Sequence, residues 1–283
     1  MKKWLKRIGQ AIGFLALLGA LLFSYAYFIE PRRLVITEVS LTVPNFSPKL
    51  NGFKIVAVSD IHGGSNGITE SKIREIVAAT NAQAPDLIVL LGDYVSQSGD
   101  QHSGLKMPVE IVADNLRGLK AKYGVYAVIG NHDWWYDEKK VRAEFERTGV
   151  KVLENETAVI DVGGERLWLW GIEDYWRHRN VPTTAFAAIP EKRNIIAITH
   201  NPDSLLKTPD GISLMLAGHS HGGQVNIPFY GRKAFVNDPR FMYGSAVVDG
   251  KQVFVTSGIG TSILPLRFCV PPEIAVVTLN SAE

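Results

Sequence analysis

The chain has 283 residues, of which 46% are hydrophobic, with 26 Gly and 14 Pro. This composition is typical of a globular protein, and we expect one main domain. The formal net charge of +2 and the scattered Lys and Arg residues indicate no particular partner, and no specific nucleic-acid binding is expected. Cys269 is the only cysteine, which excludes an intramolecular disulfide and a thiolate metal site.

The amino-terminal 30 residues differ from the rest of the chain. Basic residues precede an uncharged apolar run at residues 11–29. This run is close to the ~20 residues that cross the hydrocarbon layer and exceeds the ~7–15 residue core of a cleavable signal peptide. We therefore predict that residues 1–30 form one transmembrane helix that anchors the protein. Cleavage is the alternative, and the bulky Tyr25 between Ser24 and Ala26 makes a poor cleavage site.

The charges that flank the apolar run predict the orientation of the anchor. Its amino side carries four basic residues, whereas Arg32 and Arg33 on the far side are partly offset by Glu30 and Glu38. Because basic residues favour the cytoplasmic side, the amino terminus is predicted to be cytoplasmic. The protein would then be a single-pass protein of the bacterial inner membrane with its main domain on the outer, periplasmic side.

After the anchor, the first half of the chain alternates between strand and helix patterns. Pro31 is expected to break the anchor helix. Apolar runs predict strands, and apolar residues repeated on one face predict helices. The predicted strands cover residues 34–43, 53–58, 87–91 and 123–129, and the predicted helices cover residues 69–82, 107–121 and 137–148. This order predicts a mostly parallel α/β sheet with right-handed crossovers.

The second half of the chain predicts mainly strands. Gly163-Gly164 and Asp249-Gly250 are turn signals between two pairs of these strands. The predicted strands cover residues 150–154, 157–162, 166–171, 194–199, 212–217, 245–248, 252–256 and 273–279.

Five of the predicted strands end in residues of the kinds that bind metal ions. In chain order these residues are Asp60 with His62, Asp93, Asn131 with His132, His200, and His219 with His221. Because ligands gather outside the carboxyl ends of parallel strands, we expect these side chains to converge in one crevice. The i, i+2 spacing of Asp60 and His62, which recurs at His219, would place each pair on the same side of an extended backbone.

The chemistry of these residues predicts two divalent metal ions as cofactors. Carboxylate, imidazole and amide groups are ligands for Mn, Fe or Zn. The set offers seven ligands besides His132, which are too many for one ion and suit two. Two ions about 3.5–4 Å apart clamp a phosphoryl group and lower the pKa of a shared water.

The motifs D-x-H, GD, GNH, H and GHxH occur here in order, and in them the chain resembles the calcineurin-like metallophosphoesterases. The resemblance covers roughly residues 34–280. It implies an α/β fold, a two-sheet αββα sandwich with the site at the sheet edge, and a catalytic domain at residues 31–283. The segments 221–224, 258–262, 265–268 and 271–273 resemble a branch of membrane-associated bacterial phosphodiesterases. That branch is similar to enzymes that act on phospholipid-like or UDP-diacylglucosamine substrates.

The resemblance also implies a role for each motif residue. The implied ligands are Asp60, His62 and His221 for one ion, Asn131, His200 and His219 for the other, and Asp93 as the bridge. His132 is implied as the catalytic imidazole, which protonates the leaving alkoxide or stabilises charge in the transition state while a metal-bridging hydroxide attacks in line. Asp133 is predicted to hold His132 in a useful tautomer. Ser96 departs from the family pattern, in which a second acidic residue often follows the GD motif.

Several aromatic residues and two further histidines have open interpretations. The aromatic residues are Trp134, Trp135, Tyr136, Phe229 and Tyr230. They either line an apolar rim suited to a lipid tail or a nucleobase, or pack in the core. His178 either contacts a phosphate or lies on an exposed basic face, and His102 is predicted to lie in a solvated polar loop.

These features predict a membrane-anchored phosphoesterase that uses two metal ions to hydrolyse phosphodiester or pyrophosphate bonds. The anchor favours a lipid-linked substrate, although tethering also serves exported enzymes that act on soluble nucleotides. A phosphomonoesterase or protein phosphatase is the alternative enzyme. A non-catalytic metal-binding scaffold is the alternative of another class, and the presence of all eight motif residues disfavours it.

Overall fold

A computed structural model gives the fold of residues 2–99, 103–232 and 236–282. His102, which the sequence predicts to lie in a solvated polar loop, is outside these described residues. Within them, one helix is long and apolar enough to cross a membrane, and only 6% of its most apolar window is buried against protein.

This helix, α1 (Lys2–Ser24), continues as a π-helical turn at Tyr25–Ile29 and a 3-10 turn at Glu30–Arg32. Pro31 was expected to break the helix but lies inside its last turn. Proline is tolerated there because it sits at the start of the 3-10 turn, where its missing N–H has no partner to lose. The chain leaves the helical conformation only at Arg33.

In the described part of the chain, the strands form two six-stranded sheets and one short hairpin. In chain order they are β1 (Val35–Val43), β2 (Phe53–Val58), β3 (Leu87–Leu90), β4 (Val125–Ala127), β5 (Lys151–Val152), β6 (Glu156–Val162), β7 (Glu165–Ile172), β8 (Ile195–Thr199), β9 (Leu214–Ala217), β10 (Asn226–Ile227), β11 (Gly231–Arg232), β12 (Gly244–Val248), β13 (Lys251–Val255) and β14 (Glu273–Ser281).

The first sheet has the strand order β1-β14-β2-β3-β4-β5. Strands β2 to β5 are parallel to one another, as the alternation of strands and helices predicted. Strand β14 is antiparallel to β2 and parallel to β1. The carboxyl ends of β2, β3 and β4 therefore lie side by side at one edge of this sheet.

The second sheet has the strand order β12-β13-β9-β8-β7-β6. Its inner strands β13, β9, β8 and β7 are parallel, and the edge strands β12 and β6 are antiparallel to their neighbours. The predicted turns at Gly163-Gly164 and Asp249-Gly250 connect the two antiparallel pairs. All four residues have positive φ, between 52° and 85°, which is the geometry of a two-residue hairpin turn.

Alternation of side chains along the inner strands creates the layers of the fold. On β2, Ile55 packs between the two sheets, whereas Val56 packs against the helices that cover the first sheet. On the far side of the second sheet, Trp170 packs against Phe186. The helices are α2 (Glu70–Ala82), α3 (Val109–Leu116), α4 (Asn131–Arg147) and the short α5 (Thr184–Ala187). The predicted αββα sandwich is confirmed.

Helix α4 begins six residues earlier than the predicted start at residue 137, because Asn131 is its first residue. Its N-cap is Gly130, which has no side chain and therefore gives no capping signal in the sequence. The helix is interrupted at Asp137, where the backbone is extended (φ −171°, ψ 93°). The sequence pattern that predicts a helix from residue 137 therefore covers only the second part of α4.

Candidate metal centre and active site

The polar motif residues come together from both sheets. Asp60, Asp93 and Asn131 follow the carboxyl ends of β2, β3 and β4 in the first sheet, whereas His200 and His219 follow β8 and β9 in the second. The two sheets meet face to face, so their strand ends share one rim of the sandwich. The crevice therefore lies across both sheets and not along one parallel sheet.

The backbone at these strand ends is not extended. Asp60, His62, Asp93, His219 and His221 all have left-handed φ values, between 46° and 67°. The prediction that paired ligands share one side of an extended strand was therefore wrong, because the chain coils at each pair. A left-handed non-glycine residue costs about 1–3 kcal/mol, and such strain concentrates at functional sites.

One group of side chains brings three donor atoms close together. Asp60 Oδ1 lies 3.3 Å from His221 Nε2, which lies 3.2 Å from His62 Nε2. Atoms bound by one ion at about 2.1 Å are separated by roughly 3.0–3.4 Å, because they lie at the corners of a tetrahedron or octahedron. These three residues are the ones that the resemblance implied for the first ion.

A second group lies beside the first. His200 Nε2 lies 3.1 Å from Asn131 Oδ1 and 3.1 Å from His219 Nδ1. Asp93 lies between the groups, because its Oδ2 atom is 3.5 Å from His62 Nε2 and 3.3 Å from His200 Nε2. The structure thus brings all seven implied ligands into two adjacent groups with one carboxylate in the middle.

Hydrogen bonds behind the ligands show that this group fits divalent metal ions. His62 Nδ1 contacts the Val95 carbonyl oxygen (3.1 Å), and His200 Nδ1 contacts the Leu91 carbonyl oxygen (2.8 Å). Each Nδ1 donates its N–H to a carbonyl oxygen, so Nε2 is the ring nitrogen that faces the crevice. Among the described residues, Asp60 Oδ1 is buried without a hydrogen-bond partner. A divalent cation between these acceptors would satisfy them.

Burial tunes the protonation of the ligands. It lowers the pKa of His62 to about 3, and together with the positive charge of Arg267 it lowers the pKa of His221 well below its ordinary value. Both imidazoles are therefore neutral and able to bind a metal ion. Although burial acts to raise the pKa of Asp93, neighbouring His200 and His132 lower it well below its ordinary value, so this carboxylate is ionised.

The imidazole of His132 is oriented by a residue that the sequence did not indicate. Its Nδ1 lies 2.7 Å from Gln97 Oε1, and Gln97 Nε2 donates a hydrogen bond to the His132 carbonyl oxygen (2.9 Å). On the crevice side, His132 Nε2 lies 3.3 Å from Ser262 Oγ. Gln97 gave no signal because it stands in a polar loop and reaches His132 only after folding.

Asp133 has a different role from the one predicted. Its carboxylate accepts hydrogen bonds from the backbone N–H groups of Asp93 (2.8 Å), Tyr94 (2.8 Å) and Gly130 (3.0 Å). The described hydrogen bonds place Gln97, and not Asp133, on the His132 ring. Asp133 therefore ties the loop after β3 to the start of α4. Burial, reinforced by the charge of Asp93, raises the pKa of Asp133 to about 7.

Two glycines of the motifs are explained by the close approach of neighbouring side chains, which leaves no room for a Cβ atom. A Cβ atom on Gly130 would lie 2.3 Å from Asp93 Oδ1, although the Gly130 φ of −97° suits any residue. A Cβ atom on Gly218 would lie 1.9 Å from Ser59 Oγ and 2.5 Å from Asp60 Oδ2. Larger residues at either position would displace a carboxylate of the site.

An apolar groove opens from the candidate metal centre. It has a volume of about 470 Å³, and its apolar walls are formed by Trp135, Trp176, Val225, Ile227, Tyr230, Ile263 and Leu264. Trp135 and Tyr230 line this groove, Trp134 and Tyr136 pack against the core, and Phe229 is exposed and is not among the lining residues. Trp176, which the sequence did not indicate, contacts the His219 ring (4.7 Å between centroids). His178 is exposed and lies near Glu173.

Comparisons with known proteins agree with this geometry. Residues 53–223 match the calcineurin-like phosphoesterase family. The chain is 30% identical over 292 residues to the uncharacterized metallophosphoesterase YkuE of Bacillus subtilis, covering 100% of this chain and 98% of that protein. It is 30% identical over 265 residues to phosphodiesterase YaeI of Escherichia coli, covering 91% and 92%.

A further relative is named as a transmembrane protein. The chain is 31% identical over 271 residues to a transmembrane protein with metallophosphoesterase domain of Danio rerio, covering 89% of this chain and 58% of that protein. The family match spans more than half of the chain, and the match to YkuE spans all of it. The chain therefore belongs to the calcineurin-like phosphoesterase family and is a metal-dependent hydrolase of phosphoric esters.

Proposed function

We propose that the protein hydrolyses phosphodiester or pyrophosphate bonds with two divalent metal ions. The position of Asp93 Oδ2 carries this proposal, because it lies 3.5 Å from a nitrogen of one ligand group and 3.3 Å from a nitrogen of the other. The mixture of imidazole, carboxylate and amide ligands suits Mn, Fe or Zn. The proposed ligands are Asp60, His62 and His221 for one ion, Asn131, His200 and His219 for the other, and Asp93 for both.

The side chains around the ions have separate tasks in this proposal. When bound, the two ions neutralise the charge of the phosphoryl oxygens and make a water molecule more acidic. His132 Nε2 faces the groove and gives a proton to the leaving oxygen, which removes the cost of releasing an alkoxide. Gln97 holds the opposite nitrogen of the same ring (2.7 Å). Asp133 keeps the loop of Asp93 against α4.

A comparison of two soluble substrates tests the bond specificity. We expect the metal-loaded, detergent-solubilised protein to hydrolyse bis-p-nitrophenyl phosphate faster than p-nitrophenyl phosphate. The name of the relative YaeI, a phosphodiesterase, supports this expectation. Faster hydrolysis of the monoester would instead assign the protein to the phosphomonoesterases or protein phosphatases.

The groove supports a lipid-linked substrate. Its walls are largely apolar, and Trp135 and Trp176 stack at its edge (5.9 Å between centroids). An acyl chain beside the phosphoester would bury apolar area there. Trp135→Ala is expected to lower activity on a long-chain phosphodiester by about tenfold and to leave a small soluble diester unaffected. An equal loss on both substrates, or no loss on either, would contradict the lipid interpretation.

The anchor supports a location at the cell membrane. We propose that residues 1–30 stay attached as a single-pass anchor and that residues 31–283 form a catalytic domain on the periplasmic side. Supporting observations are the exposed apolar helix α1 and the name of the transmembrane relative from Danio rerio. Added protease should degrade the catalytic domain in spheroplasts. Protection of the domain there would overturn the orientation.

A further inference from the structure

The end of the anchor helix carries residues typical of a membrane–water boundary. Arg32 Nη1 donates a hydrogen bond to the carbonyl oxygen of Tyr27 (3.1 Å). Arg33 Nη1 donates one to the hydroxyl of Tyr25 (2.8 Å). Tyr and Arg concentrate at this level of a bilayer because each combines an apolar body with a polar tip. Residues 25–33 therefore have the composition of a segment at a membrane–water boundary.

The loop at residues 262–269, which forms one wall of the groove, is attached to this part of the helix. The backbone N–H of Arg267 donates to the carbonyl oxygen of Ala26 (3.0 Å). The backbone N–H of Cys269 donates to Glu30 Oε2 (2.9 Å), and this carboxylate is buried. The groove wall is thus bonded to the end of this helix.

The hairpin of β10 and β11 lies against the same loop. The backbone N–H of Asn226 donates to the carbonyl oxygen of Phe268 (2.8 Å). The side chain of Gln224 donates to the carbonyl oxygen of Leu264 (2.7 Å). The hairpin is therefore bonded to a loop that is itself bonded to the anchor helix.

Large apolar side chains stand exposed on this loop and hairpin. We call them the apolar rim, which consists of Ile227, Phe229, Tyr230, Ile263 and Leu264. Phe229 is fully exposed, Ile263 is 78% exposed and Tyr230 is 69% exposed. Phe229 (φ 67°) and Ile263 (φ 62°) also have left-handed backbones, which bulky residues rarely adopt. Exposure of these large apolar side chains is unfavourable in water and indicates a surface that is covered in use, and the strained backbone is typical of a functional segment.

The charges near the apolar rim suit a phospholipid surface. Residues 224–232 and 259–269 contain no Asp or Glu, and of their two arginines Arg232 is partly exposed whereas Arg267 is buried. Anionic lipids at a membrane surface repel carboxylates and attract basic side chains. The two segments therefore meet no electrostatic barrier at a bilayer.

We propose that the apolar rim inserts into the interfacial layer of the same bilayer that α1 crosses. The occupant is a lipid surface because the loop of the rim is bonded to the end of the membrane helix, which brings the bilayer within reach without another molecule. The groove that leads to His132 then opens at the membrane surface. This inference rests on the proposed anchoring, and it does not depend on the proposed catalysis.

Fluorescence quenching in liposomes tests the position of the rim. The full chain with Cys269→Ser receives one new cysteine, Phe229→Cys or Ile263→Cys, labelled with an environment-sensitive dye. The matched control is Val159→Cys, which labels an exposed apolar position on edge strand β6 (52% exposed). Nitroxide lipids should quench the labels at positions 229 and 263 at least about twofold more than the control label, and aqueous iodide should quench them less.

Each other outcome overturns the proposal. Labels at 229 and 263 that iodide reaches as easily as the control label would place the rim in water. Labels that both quenchers fail to reach would place the rim against protein. If the protein does not float with the liposomes, the anchoring fails and the rim proposal fails with it. None of these measurements requires catalysis, so they separate the fate of this inference from that of the proposed hydrolysis.

Discussion

Gln97 Oε1 lies 2.7 Å from His132 Nδ1, so an amide and not a carboxylate orients the candidate catalytic imidazole. Ser96 stands beside it, at the position where the family pattern often has a second acidic residue. Gln97 makes a second contact with the His132 backbone (2.9 Å), which fixes the amide in one orientation. Because the Gln97 oxygen accepts this hydrogen bond, the proton lies on His132 Nδ1, and His132 Nε2 faces the groove.

Gln97→Glu is expected to move the alkaline limb of the pH–rate profile about one unit higher, because a carboxylate beside the ring stabilises the protonated imidazole that acts as the general acid. Gln97→Leu is expected to lower kcat about tenfold with little change in KM, because the ring loses its orientation. The measurement is kcat from pH 5 to 10 on a dialkyl phosphodiester, whose alkoxide leaving group needs a proton. Gln97→Glu in a His132→Ala background is the control, and a shift that persists there would contradict the assignment.

His132→Ala is expected to lower kcat by about 10²–10⁴-fold, because the leaving oxygen loses its proton donor. The bound metal measured by mass spectrometry should stay unchanged, since His132 is not among the proposed ligands. His178→Ala, at an exposed histidine, is the matched control and should keep its activity. A wild-type protein no faster than His132→Ala on every phosphoester tested would favour the non-catalytic scaffold.

Asp93→Asn is expected to reduce the bound metal below two ions per chain and to lower kcat by at least about 10²-fold, because the neutral amide cannot neutralise two cations. Asn tolerates the left-handed φ of 56° at this position, so the backbone should be preserved. Asp114→Asn, on the exposed face of α3, is the control. Two ions bound to Asp93→Asn with unchanged affinity would exclude the bridging role.

Glu154 predicts a pH dependence of stability that is separate from the metal centre. Burial, with the hydrogen bond and charge of Glu138, raises the pKa of Glu154 to about 9 from the ordinary value of 4.5. Between these values the folded chain holds a proton that the unfolded chain has released, so the free energy of unfolding falls as the pH rises from about 4.5 to about 9.

Glu154→Gln removes this titration. Its melting temperature should exceed that of the wild type by about 10 °C or more at pH 8.5 and equal it near pH 4.5, measured on the detergent-solubilised protein. Glu191→Gln, at an exposed position, should behave as the wild type. Equal melting temperatures of Glu154→Gln and the wild type at both pH values would show that Glu154 is not protonated in the fold.

The sequence by itself determined the family, the layered α/β architecture and the order of the motif residues. These features were readable because strands and helices impose periods of about two and 3.6 residues, and because a metal centre restricts the residue types at strand ends. The apolar run that became α1 was readable for the same reason, since its length and lack of charge suffice.

Only the tertiary structure decided how the site is built. Three features of the site cannot be recognised from any local pattern in the sequence. They are the left-handed turns at Asp60 and His62, the contact of the Gln97 amide with His132, and the attachment of residues 262–269 to the anchor. Each joins segments distant in sequence or depends on a backbone conformation that several residue types adopt. Asp133 shows most clearly what the sequence could not predict. Its position next to His132 in the chain suggested that His132 is its partner, but in the fold its carboxylate accepts hydrogen bonds from the backbone of the loop after β3.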